Sequence, residues 1–501
     1  MAHVAAQEGF WARMGLRLSW LPLLLAGLLL VAIIVPRFLW DQFLDPFEDG
    51  YHNWWIASVL VQTGQYADPY SLMTQGNWLP GYHLVVAGMI SALGSHIMPI
   101  LKLTNIAFSL GTSAVVYSLA RPRGRHVAVL AAFLFALNPT DIVISSFATP
   151  EALALLATFA GVLVLERKSV RGIRSLALAS ILFLIAATMR YEVWGFLAIY
   201  LLWKWRTKEL SARALGFVAG PAVLFVAAWW AWTSQYGFLP AIIVGQTSTD
   251  VRYKGLIGAL APAWDRIGAF FGFYLFYTPF VLLAFLWAWT KECRSPFTAV
   301  LVIFYAAEVV YTTLNFGNPS PRYIHLTMPI VSIYAASSIL SITSWIRSAH
   351  VRRPRALAPL PTAVALAVSL VLVAQVLTPS PPPGTLLHGT QRAGIYLSGH
   401  PLPAGKLLLS ESPITAYYSG YPASRIIGST LLPDDAVNAT AFLVPNVAYL
   451  VMVTVPYYRL RTLFPQQANG TNGNHLQLVF DATGPEYSLG APRVLVFEVT
   501  P

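Results

Sequence analysis

Long apolar runs separated by short polar turns recur from Leu18 almost to Leu377, and the pattern stops after Thr378. Residues 18–40, 97–120, 127–137, 152–165, 175–189, 193–203, 214–232, 267–289, 298–313, 324–345 and 357–377 each read as a helix in lipid, which makes eleven spans. A further apolar segment, 79–93, is about five residues short of the roughly 20 that a crossing needs. As a full span it would place the later basic turns opposite the first one. As a re-entrant or interfacial helix in the first outer loop it keeps them all on one side, and that reading is taken. Beyond Thr378, short β-branched runs at 407–409, 448–455, 476–480 and 494–499 alternate with helical or loop segments rich in Pro, Gly and Asn. The pattern predicts a mainly α polytopic membrane protein. A transmembrane domain covers 1–377, and a small α/β extracytoplasmic domain covers 378–501.

Composition strengthens this reading. Charged residues make up 11% and hydrophobic ones 56%, against about 25% charged in an ordinary soluble domain. The net charge of +11 would suit nucleic acid, but its distribution excludes that class. Lys and Arg cluster between spans at 121–125, 167–174, 204–213, 291–294 and 347–355, with Arg13 and Arg17 ahead of the first span. That is the positive-inside pattern, which puts the N-terminus in the cytoplasm and the C-terminal domain outside. The Asn438 and Asn469 sequons fall in that outer domain. The single Cys293 excludes an intrachain disulfide. Residues 18–40 are long for a signal peptide and show no small-residue cleavage site, so they are read as a retained first span.

The acidic residues sort the opposite way: all but Glu8, Glu166, Glu209 and Glu292 map to the outer side or near it. Orientation does not require this, because Asp and Glu contribute little to topology. The densest group is Asp45-Pro-Phe-Glu-Asp-Gly-Tyr-His-Asn-Trp-Trp55, directly after the first span. Four consecutive spans, from Val127 to Trp203, have short apolar cores. Their outer ends carry Asn138-Pro-Thr-Asp141, Thr149-Pro-Glu151 and Arg190-Tyr-Glu192. Polar groups at that depth need protein or a water-filled cavity around them, which predicts a cavity open to the outer face. An outer loop holds Asp250, Arg252, Tyr253 and Lys254. The turn ending in Arg322-Tyr323 opens a helix, where unpaired amides beside an Arg favour an anion.

No Walker loop, His-Glu-x-x-His, zinc-type Cys pair or nucleophile elbow is present. Outer-face carboxylates with scattered cations instead suit displacement at a sugar anomeric carbon. A carboxylate takes the acceptor's proton and a cation stabilises the departing phosphate. A polyprenyl-phosphate-linked sugar is the donor available on that face, with a glycan, lipid or protein as acceptor.

The first-loop acidic motif, the interfacial segment, the run Trp78-Leu-Pro-Gly-Tyr-His83, the basic inner turns and Arg322-Tyr323 resemble the GT-C superfamily of integral-membrane glycosyltransferases. The closest resemblance is to its protein-mannosyltransferase and aminoarabinose-transferase type. It implies an inverting transfer with Asp49 or Glu48 as base, Asp45 as a third candidate, and Asp141 or Glu151 as a second acidic position. It also implies a phosphate-binding Arg, for which Arg322 beside Tyr323 is the candidate and Arg190 the reserve. His52, His83, Asp250 and Arg252 are candidates for sugar or acceptor contacts. No cofactor is required. A divalent cation belongs to the alternative of oligosaccharyltransferase-like transfer, whose first-loop Asp, aromatics and His are similar. The non-enzymatic alternative is a lipid-linked-saccharide transporter.

Overall fold

The computed structural model describes residues 21–41, 48–67, 79–167, 172–234, 280–313, 321–348, 360–376, 386–454, 459–482 and 493–501. The helical part runs α1 (Leu21–Asp41), α2 (Asp49–Thr63), α3 (Pro80–Leu93), α4 (Met98–Ala120), α5 (Arg125–Ala136), α6 (Pro139–Ser145), α7 (Glu151–Glu166), α8 (Ile173–Ala187), α9 (Tyr191–Arg206), α10 (Ala212–Ser234), α11 (Val281–Lys291), α12 (Pro296–Thr313), α13 (Pro321–Ile324), α14 (Met328–Ser348) and α15 (Leu360–Val376). Segment 79–93 forms a helix of 14 residues, as its length suggested. Among the described residues, three helices are long and apolar enough to cross a membrane. The pair α5 and α6, bent by 56°, makes a fourth if counted as one span.

The bend has a sequence cause. Asn138 stops α5 and caps α6, its side-chain oxygen accepting from the amides of Thr140 (2.9 Å) and Asp141 (3.3 Å). Pro139 supplies the fixed φ that suits a first helical turn. Helix α14 lies deepest in the bundle, with Tyr334, Ala335 and Ala336 fully buried, and it packs on α5, α11 and α15. Helix α10 is the reverse: Val223 and Leu224 project outward, a surface that suits lipid rather than water. Helix α3 approaches the α8–α9 junction at a glycine. The Gly81 amide donates to the Thr188 carbonyl at 2.9 Å, and a Cβ on Gly81 would lie 2.3 Å from Thr188 Oγ1.

The C-terminal part holds α16 (Leu386–Ser398), β1 (Leu407–Ser410), α17 (Pro413–Ser419), β2 (Ile426–Ile427), α18 (Ala436–Asn446), β3 (Val447–Val453), α19 (Arg459–Leu463), β4 (Leu476–Asp481) and β5 (Val494–Val499). Four strands match the expected runs; β2, of two residues, is too short to show in a hydrophobic pattern. The sheet order is β2-β1-β3-β5-β4, with β1 parallel to β2 and β3, and β5 antiparallel to β3 and β4.

This part docks on α2 through α17 and the turn after it. Tyr417 packs edge-on against Trp54 and Tyr51, at ring distances of 4.9 and 5.4 Å. The Ser424 amide donates to Gln62 at 2.9 Å. The seam is aromatic and polar, and it holds the first loop from above.

Beside the seam, Glu411 is fully buried and accepts from the backbone amides of Leu460 (2.9 Å) and Val453 (3.1 Å). Burial outweighs those bonds and pushes its carboxyl up to about 7. The folded state therefore holds a proton that the unfolded chain releases near the ordinary carboxylate value. Stability from this group is present at low pH and falls as pH rises through the window from about 4.5 to 7. The fall is on the order of 3 kcal/mol. Thermal unfolding of the purified protein at pH 5 and pH 8 should show it, and Glu411→Gln should flatten the difference. An unchanged pH dependence in that variant would assign it to other groups.

Candidate active site

Asp49 and Glu48 sit together at the start of α2 and face different partners. Glu48 adopts a left-handed conformation, φ 58°, uncommon for a residue with a side chain. This turn lets its carbonyl accept from the His52 amide at 2.9 Å, and its carboxylate accept from Ser412 Oγ at 2.8 Å. Ser412 also caps α17 by accepting from the Ile414 amide. Glu48 thus ties the first loop to the C-terminal part. Asp49, the first residue of the helix, has its carboxylate favoured by the helix N-terminus, and it pairs with Arg322.

Arg322, on the short α13, reaches two carboxylates at once. Its Nη1 bonds Asp49, while its Nε and Nη2 both donate to Glu151 Oε1, at 2.8 and 2.5 Å. Glu151 opens α7 and also accepts from Arg190 at 3.1 Å; Arg190 in turn pairs with Glu192. Three carboxylates and two guanidiniums leave the group one negative charge in excess when all are ionised. The side chain of Glu151 is 3% exposed, whereas that of Asp49 is 18% exposed. Asp49 is therefore the more exposed of the two carboxylates that share Arg322. A cleft between Glu151, Arg190, Glu192, Arg322 and His325 holds about 20 Å³, room for about one water.

Asp141 does not join this group. It is fully buried beneath it, bonded to Arg37 at 2.5 Å, to Ser109 at 2.5 Å and to His325 at 3.1 Å. Arg37 completes its own bonding with Ser109, Ser145 and the carbonyls of Ile33 and Ala136. His325 stands one turn after Arg322 and lines the cleft, so the Asp141–His325 bond anchors the segment that carries Arg322.

The other candidates are placed as follows. His83 is buried and bonds Asn53 (2.9 Å) and Tyr66 (2.7 Å), below the aromatic face of α2. His52 is half-buried on α2, and Tyr323 is half-buried next to Arg322. Asp45, Asp250 and Arg252 lie outside the described residues. Arg37, His325 and Ser109 were not singled out from sequence. Arg37 had one available signal, a cation immediately after Pro36 inside the first apolar run. Among the described residues no three metal-type ligands gather.

No protein-family model matches the sequence, and no curated protein matches it. Solved structures do. The structure of ArnT from Cupriavidus metallidurans bound to undecaprenyl phosphate superposes with a TM-score of 0.58, covering 96% of this chain and 98% of that one at 11% identity. ArnT in the apo state gives 0.52 over 94% and 98%, at 12% identity. The Archaeoglobus fulgidus oligosaccharyltransferase tethered with an acceptor peptide gives 0.51 over 87% of this chain and 70% of that one, at 13% identity.

The chain has the GT-C fold.

Within this GT-C fold, the buried Arg37–Asp141 pair joins α1 to α6 and yields a stability test. Removing one partner of a buried pair strands the other and costs about 3–5 kcal/mol, whereas an apolar pair of similar volume can be neutral. Arg37→Met and Asp141→Leu singly should each lower the thermal unfolding midpoint in detergent, and the double variant should recover most of the loss. A double variant no more stable than either single one would remove the pair from the core argument.

Proposed function

We propose that this protein is a membrane glycosyltransferase that moves a sugar from a polyprenyl-phosphate donor to an acceptor on the outer face. The observation that carries the reading is the single Arg322 guanidinium shared between Asp49 and Glu151 at a cleft. The likeness to ArnT bound to undecaprenyl phosphate supports the donor class. We also read eleven spans, with residues 378–501 outside as an extracytoplasmic domain. A reporter fused after Pro501 should then be active only outside the cytoplasm.

The mechanism follows from competition for Arg322. In the free protein two carboxylates satisfy it and the cleft takes about one water, so a donor must exchange with something. A phosphate offers Arg the same bidentate geometry with more charge. Asp49 is the more exposed partner and leaves first, while Glu151 and Arg190 keep the guanidinium oriented. The exchange frees the Asp49 carboxylate close to the anomeric carbon. It accepts the acceptor hydroxyl's proton as that oxygen bonds to the carbon. The bond from carbon to phosphate oxygen breaks, polyprenyl phosphate departs on Arg322, and the configuration inverts. Glu48, held by Ser412, positions the loop rather than taking the proton.

In membranes supplied with a radiolabelled polyprenyl-phosphate sugar, Asp49→Asn should slow sugar transfer by at least about 100-fold, the usual span for loss of a general base. Glu48→Gln should act far more weakly, and Arg322→Ala should chiefly raise the KM for the donor. Equal losses in Asp49→Asn and Glu48→Gln would overturn the assignment of the base.

A further inference from the structure

We propose that the α7–α8 junction binds a phosphate-bearing anion, the headgroup phosphate of a membrane lipid, at the end of α7 opposite Asp49. This site is independent of the transferase reading. Glu151 opens α7, a helix of 16 residues that ends at Glu166, so the junction lies on the order of 24 Å away along the helix.

A cavity of about 270 Å³ lies there, lined by Val164, Arg167, Arg174, Ser175 and Leu178. Helix α8 starts after Gly172, whose carbonyl takes the amides of Ser175 (3.0 Å) and Leu176 (3.3 Å). The amides of Ile173 and Arg174, at the first turn, have no carbonyl one turn earlier in the helix. Ser175, 5% exposed, has a buried hydroxyl without a hydrogen-bond partner. A buried hydroxyl at a helix start, beside two guanidiniums, is a donor set for a tetrahedral anion.

Among the described residues the charge lining the cavity is left unneutralised. Glu166, the acid next to the cavity, is already engaged by Lys204 and Tyr200, each at 2.8 Å. Neither Arg167 nor Arg174 has a carboxylate partner among the described residues. The walls choose an amphiphile over a free ion. Val164 and Leu178 line the cavity, and Ile173 and Leu178 are 65% and 49% exposed on the outside of α8, where an acyl chain would lie. The anion would bond Ser175 Oγ and the two guanidiniums while its tail follows α8.

The test uses the purified full-length chain in detergent, with short-chain phosphatidylglycerol read by native mass spectrometry. Diacylglycerol and inorganic phosphate are the comparison probes. The wild type should retain phosphatidylglycerol and not diacylglycerol. Arg174→Gln and Ser175→Ala should each weaken retention by about ten-fold, the scale of one charge-assisted or buried hydrogen bond. Arg206→Gln, which removes an exposed cation at the end of α9, should leave it unchanged. Thermal unfolding without lipid checks that each variant is folded. An equal loss in Arg206→Gln, or undiminished retention in Ser175→Ala and Arg174→Gln, would overturn the site. Inorganic phosphate competing as well as the lipid at equal concentration would overturn the lipid assignment.

Discussion

A charge enclosed by apolar helices must be paired, and that requirement organises this molecule. Arg37 and Asp141 meet in the centre of the bundle with no exposed surface, and Ser109, Ser145, His325 and two backbone carbonyls satisfy their remaining valences. The geometry demands that α1 reach α6, that α5 and α6 bend at Asn138, and that α4 present Ser109 to the same point. Through His325 the cluster also fixes the turn that follows Arg322. The buried pair is therefore the foundation of the site above it.

The upper group obeys the same rule with less enclosure. Arg322 and Arg190 are divided among Asp49, Glu151 and Glu192, and one negative charge remains over. In the proposed reading a phosphate enters by replacing an acid on Arg322, and that exchange links donor binding to release of the base. The C-terminal part participates through Ser412, which holds Glu48 in its left-handed turn next to Asp49. Arg322, Asp49, Glu48 and Ser412 thus form one connected run of residues between the helical bundle and the C-terminal part.

Helix α7 connects the upper group to the basic junction. Its first residue, Glu151, supplies the most buried acid of the upper group, and its last turn leads to the basic junction at Arg167 and Arg174. The contrast comes from the tertiary partners at each end: Arg322 and Arg190 above, Lys204 and Tyr200 on Glu166 below.

Much of this was legible in the chain alone. Helices such as α4, α7, α10 and α12 follow from unbroken apolar runs, because lipid leaves the backbone no alternative to internal hydrogen bonds. Strands β1, β3, β4 and β5 follow from short β-branched runs. Asp49, Glu151, Arg190 and Arg322 stood out as charges beside apolar segments. Sequence could not tell which acid meets which cation, because Asp49 and Arg322 are 273 residues apart. Asp141 and Glu151 looked equivalent, and only the bend at Asn138 turns one inward to Arg37 and leaves the other at the cleft. Arg37 itself read as part of the first span, its burial depending on a partner more than 100 residues away. The sequence determined the helices, their order and the kinds of charge at their ends, since those depend on local periodicity and on lipid as solvent. The tertiary structure alone decided the pairing, since it depends on how distant helix ends converge.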